Sequence, residues 1–206
     1  MSPYLVVRFV LAVFVALQTG EGSTQPVRSS AAGGVSGALR TNVEQEFYPV
    51  QGRSEGDLLH SMLTRGPVWG ERRFFGLTTT AVRYTYRRVP SRGGCTLSDV
   101  VVHLDVTVTL PRWTPPRGAP YALERDWAAF RTALERHEDG HRRLAVSFGE
   151  AIRSMLTLAR TASCETMDAE VGRRVASLQS HFDRQQRDYD AATDHGASEG
   201  ARWPRR

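Results

Sequence analysis

The chain has 206 residues, 40% of them hydrophobic, which is enough for one ordinary domain with a core of its own. Its net charge is +5, and every basic residue is arginine. The pairs Arg72-Arg73, Arg87-Arg88, Arg142-Arg143, Arg173-Arg174 and Arg205-Arg206 are spread along the chain. Nucleic-acid binders gather their charge on one element, so the composition excludes nucleic acid as a partner and reads as a solvated surface.

Residues 5–17 are apolar but for Arg8, and small or polar residues follow. Such a run is too short for a comfortable membrane span and suits the core of a secretory signal peptide. We expect a signal peptide over residues 1–22, no stable membrane insertion after its cleavage, and a secreted or periplasmic location; an uncleaved anchor is the alternative. Residues 23–40, rich in Ser, Gly, Ala and Thr, read as a flexible leader. The folded domain is expected over residues 41–206.

Val43, Phe47 and Val50 mark a first strand ending at Gly52. Ser54 is placed to cap a short helix whose apolar residues are Leu58, Leu59, Met62 and Leu63, and Gly66-Pro67 ends it. Val82, Tyr84 and Tyr86 then alternate with polar residues, and a Ser91-Arg92-Gly93-Gly94 turn follows. Val102, Leu104, Val106, Val108 and Leu110 repeat with a period of two, so one face of that strand is buried and the other wet. These runs predict a small antiparallel sheet with a hairpin, with the 102–110 strand as the edge to which a peptide could add.

The second half is helical. Leu123, Trp127, Phe130, Leu134, His137, His141, Leu144, Phe148 and Ile152 recur at steps of three or four and form one apolar stripe. A last helix is predicted over 165–189, with Ser163 as its cap and Met167, Val171, Val175, Leu178 and Phe182 on one side. Residues 190–196 read as a loop. The fold class is therefore α+β: a small antiparallel sheet with one short helix, followed by two long helices.

The first long helix carries His137-Glu138-Asp139-Gly140-His141, an HExxH. Residues i and i+4 lie one above the other on a helix, so both imidazoles can grip one ion while Glu138 handles a proton. Their place on the core-facing stripe favours this over a chance match on a charged surface. Metal-free core histidines are the alternative, and their ring nitrogens would still need partners. Gly140 costs about 1 kcal/mol in a helix interior, which makes sense if some group approaches the backbone there.

A catalytic zinc takes three protein ligands and keeps one open position. The third is sought among Glu165, Asp168, Glu170, His181, Asp194, His195 and Glu199. Leu144 and Ser147 stand where the longer HExxHxxGxxH pattern needs Gly and His, which excludes that class. Asp190 and Asp194 are of a type that orients a ligand histidine. Cys95 and Cys164, the only cysteines, are expected to form a disulfide in an exported chain, with two buried thiols as the alternative.

Tyr48-Pro49-Val50-Gln51-Gly52, the Gly66-Pro67 step, the strand from Cys95 to Leu110-Pro111, Trp127, the HEDGH and Tyr189-Asp190-Ala191-Ala192-Thr193-Asp194-His195-Gly196 together resemble a bacterial family of predicted secreted zinc-dependent proteases, a domain of unknown function. The resemblance runs from about residue 46 to 204 and implies a zincin-like fold. Its Tyr-Asp…Thr-x-His-Gly signature implies His195 as the third zinc ligand beside His137 and His141. Glu138 would then be the general base, Tyr189 a candidate oxyanion stabiliser, and a peptide or protein the substrate. The alternative from another class is a non-catalytic secreted binding module, with a structural zinc or with metal-free core histidines.

Overall fold

The computed structural model describes residues 13–15 and 37–205. The expected signal peptide and leader lie outside the described residues, except for 13–15 and 37–40. The fold is α+β, with a mixed sheet, one short helix and two long ones.

The strands are β1 (Val13–Val15), β2 (Ala38–Val50), β3 (Val68–Trp69), β4 (Arg72–Arg73), β5 (Leu77–Ser91), β6 (Gly94–Trp113) and β7 (Arg160–Thr161). The helices are α1 (Glu55–Arg65), α2 (Tyr121–Thr157) and α3 (Met167–Thr193), and a 3-10 turn spans Ala197–Glu199. The main sheet runs β1-β5-β6-β2, with β7 on the end of β6. The β5–β6 hairpin is antiparallel, whereas β2 pairs with β6 in parallel from Ala38↔Val101 to Val50↔Trp113.

The sheet is thus mixed where an antiparallel one was predicted. The reason is that a period of two records which face is buried and is silent on the direction of the neighbouring strand. The alternation itself is present: Val102, Leu104, Val106, Val108 and Leu110 are all buried. But β6 lies between β5 and β2, so 102–110 is a central strand and offers no edge to a peptide. The short β1 pairs in parallel with Val82, Arg83 and Tyr84 along the outer side of β5. Strand β2 begins at Ala38, upstream of the expected domain start, because its pairing with β6 continues beyond the apolar pattern.

Helix α1 is held at its start by a capping box. The Ser54 hydroxyl accepts from the Asp57 amide, and the Asp57 carboxylate accepts from the Ser54 amide. Helix α2 lies across β6, and α3 packs on α2, with Phe148 and Phe182 stacked 4.6 Å apart between them. At the other end Trp113, Trp127, Phe130 and Trp203 meet with ring centroids 5.4–5.7 Å apart. The Cys95–Cys164 disulfide is formed and ties the start of β6 to the segment before α3. Among the described residues no helix is long and apolar enough to cross a membrane.

Helix α3 starts at Met167 and reaches Thr193, past the predicted end. The extension matters. It carries the stripe of Val171, Val175 and Phe182 onward through Gln186, Asp190 and Thr193, all buried against α2.

Candidate metal centre

His137, Glu138 and His141 are fully buried on the face of α2 that meets the sheet and α3. Steps of three and four along α2 bring both imidazoles toward Asp190, one turn from the end of α3. The Nε2 atoms of His137 and His141 stand 3.1 Å apart. Asp190 Oδ1 lies 3.3 Å from the first and 3.0 Å from the second. Four donors around a tetrahedral ion at about 2.0–2.1 Å stand roughly 3.3 Å from one another. Two imidazole nitrogens and a carboxylate oxygen at this spacing could hold a metal ion.

The outer ring nitrogens fix which atoms face inward. His141 Nδ1 lies 2.6 Å from Gln186 Oε1, and the amide group of Gln186 reaches back to the His141 carbonyl. His137 Nδ1 lies 3.3 Å from Glu199 Oε2 and 3.4 Å from the Thr193 hydroxyl. The Gln186 and Glu199 oxygens accept, so each Nδ1 carries the proton and each Nε2 is turned to Asp190. Asp190 Oδ1 is buried between them without a well-aligned hydrogen bond. Such an atom has lost its water and needs a cation or a proton.

The electrostatics agree. Burial works to raise the Asp190 carboxyl, but the His137 and His141 rings outweigh it and hold it below the usual carboxylate range. Burial pulls His141 down, but Asp190 and Glu138 outweigh that and leave it raised. His141 and Asp190 thus each favour the charged form of the other.

Glu138 faces the sheet. Its Oε2 accepts from the Thr78 hydroxyl at 2.7 Å, while Oε1 is buried with no partner. Gly76 makes that placement possible, since a Cβ there would come within 2.6 Å of Oε1. Burial pushes the carboxyl above its usual range, against the pull of the two histidines and Thr78.

His195 sits in a left-handed turn after α3, with φ of 48°, 52° and 82° at Asp194, His195 and Gly196. Its Nδ1 is buried with no hydrogen-bond partner and stands 3.7 Å from Asp190 Oδ1. Gly196 packs on the His137 ring, where a Cβ would lie 2.8 Å from Cγ. Tyr189 stacks on His137 with centroids 5.1 Å apart, and its hydroxyl is 3.3 Å from both the His137 carbonyl and Glu199 Oε2. Gly140 gives the phenol its room, because a side chain there would collide with it. Neither His195 nor Asp194, Glu165, Asp168, Glu170, His181 or Glu199 is among the three residues whose donor atoms converge.

The structure moves Asp190 from a residue that could orient a histidine to one of the three converging donors, and it adds Gln186. The signal was available: both continue the apolar stripe of α3, and polar residues at core-facing positions mark a site.

Fold and site define an α+β protein with a buried His–His–Asp cluster beside an HExxH glutamate. The chain belongs to the family described as "Bacterial protein of unknown function (DUF922)", whose model matches residues 45–196 and so spans both the HExxH and the His195 turn. No curated protein and no solved structure matches it.

Proposed function

We propose that the protein is a secreted zinc-dependent peptidase, with zinc held by His137 Nε2, His141 Nε2 and Asp190 Oδ1. One observation carries the reading: three donor atoms converge at metal-ligand spacing beside a buried, unpartnered glutamate oxygen. A structural zinc has no use for that glutamate. The disulfide supports an oxidising destination.

Bound zinc would supply Lewis acidity toward the scissile carbonyl and the attacking water. Glu138 Oε1 takes a proton from that water and passes it to the leaving amine. Thr78 holds the other oxygen, so the carboxylate turns only one face to the reaction. Burial raises its pKa, which suits a group that keeps a proton in transit. Gln186 and Glu199 keep both Nδ1 atoms protonated and both Nε2 atoms available. The outer edge of β5 at residues 77–81, which follows Gly76 directly, is where an extended peptide would lie within reach of Glu138.

The test is Glu138→Gln, with zinc content and hydrolysis of a fluorogenic peptide mixture measured together. The variant should keep its zinc and lose at least about 100-fold in turnover. Full turnover in the variant removes the general base.

A second reading has its own observation. His195 Nδ1, at 3.7 Å from Asp190 Oδ1, could complete a set of four protein ligands, which is the mark of a structural site. The cobalt-substituted protein distinguishes the two, since small anions perturb the visible spectrum only where a position is open to solvent.

A further inference from the structure

We propose that a cleft at the far end of the β2–β6 pair is a second binding site, for an acidic peptide segment. The cleft has a volume of about 640 Å³ and lies where the two parallel strands end, between Phe47, Gln51 and Arg53 on one side and Arg112, Trp113 and Thr114 on the other.

Some arginines of this molecule pair with an acid, as Arg83 does with Asp105 and Arg88 with Asp168. Arg53 and Arg112 do not, and both line this one cleft. Among the described residues neither guanidinium has a carboxylate or a hydrogen-bond acceptor. Asp57, four residues beyond Arg53, is already engaged by the Arg53 and Ser54 amides and the Ser54 cap, which hold its carboxyl below the usual range. Two exposed guanidinium forks on one cleft match a carboxylate in shape and charge.

The remaining walls choose among anions. Arg112 lies 3.8 Å over the Phe47 ring, and Arg131 is 5.4 Å from the same centroid. Trp113 is buried, edge-on to Trp127 at 5.7 Å, with its indole N–H given to the Gly52 carbonyl. The aromatic faces are therefore in use, and a stacked base would find no platform. What is left is guanidinium donors and the outer edge of β2, which among the described residues pairs with β6 alone. Those are the groups that bind an extended main chain with acidic side chains. Tyr48, also on the cleft, donates to the Phe75 carbonyl at 2.9 Å, one residue before the glycine that cradles Glu138. A peptide seated here would lie against the wall that supports the metal centre. The inference concerns binding and does not rest on the peptidase reading.

The experiment is fluorescence anisotropy of the full chain with a short labelled peptide of alternating Glu and Leu. Its Gln-for-Glu counterpart and a single-stranded oligothymidine serve as competitors. The Glu peptide should bind and weaken in roughly 0.3 M salt. Arg53→Gln and Arg112→Gln should each weaken it about tenfold, while Arg187→Gln, an equal charge loss on exposed α3, should leave it unchanged. Arg112→Lys keeps the charge without the fork and should fall between, so a failure of the Gln variant to fold leaves the site testable. Three results overturn the proposal: no binding, equal binding of the Gln peptide, or equal weakening by Arg187→Gln. Displacement by oligothymidine with the same arginine dependence would also overturn it, by assigning the cleft to nucleic acid.

Discussion

Gly140 and Asp190 show how single side chains set the centre's geometry. Gly140→Ala would gain up to about 1 kcal/mol of helix propensity, yet its methyl would be driven into the Tyr189 phenol. Overpacking against a held ring costs about 1–3 kcal/mol, so we expect a lower thermal midpoint and weaker metal binding as Tyr189 leaves the His137 ring. Calorimetry with zinc titration checks both. Asp190→Ala should lose the ion while His195→Ala keeps it, as read by metal analysis of the purified variants. The opposite pattern would place the third ligand on His195, as the sequence resemblance implies. Gln186→Leu should cut metal affinity by roughly 10–100-fold, since His141 Nδ1 loses its acceptor. The HExxH was legible because its spacing is local. Asp190 was legible as an acid that could orient a histidine; its place beside both imidazoles depends on α3 docking on α2, which a pattern within one helix does not encode.

At the scale of elements, periodicity located both long helices and the β5–β6 hairpin, since burial of one face imposes it. It could not give the direction of β2, the central place of β6, or the end of α3. Tyr189 is followed by small and polar residues that suit a loop, but tertiary contact keeps 190–193 helical. The disulfide works at this scale too, joining β6 to the approach of α3 across a separation of 69 residues. On the chain-entropy model its loss costs about 4 kcal/mol. Cys95→Ser with Cys164→Ser should therefore lower the denaturant midpoint strongly and steepen the slope, because the uncrosslinked denatured chain exposes more surface, as urea titration measures.

For the whole molecule, neutral phenols link the layers. Burial raises Tyr48, which bridges β2 to the Phe75 carbonyl. Burial also raises Tyr86, reinforced by Asp168, and pushes Tyr189 up to about 12. An unfolded tyrosine titrates near 10.0, so the folded state holds these protons longer. The stability they contribute is full below that value and is lost as pH rises through the folded pKa values. Thermal midpoints should fall between about pH 10 and 12. Tyr48→Phe should start lower by about 1 kcal/mol for its lost hydrogen bond and decline less steeply. An unchanged decline would remove Tyr48 from the account.

The split of the centre between two helices also bears on how the chain is made. His137 and His141 emerge from synthesis well before Asp190, and two imidazoles on an isolated helix hold an ion weakly beside a set of three or four. Until α3 has formed and settled on α2, there is no assembled centre beside Glu138. A chain in which α3 has not yet docked therefore holds two of the three converging donors and lacks the centre that the folded molecule assembles.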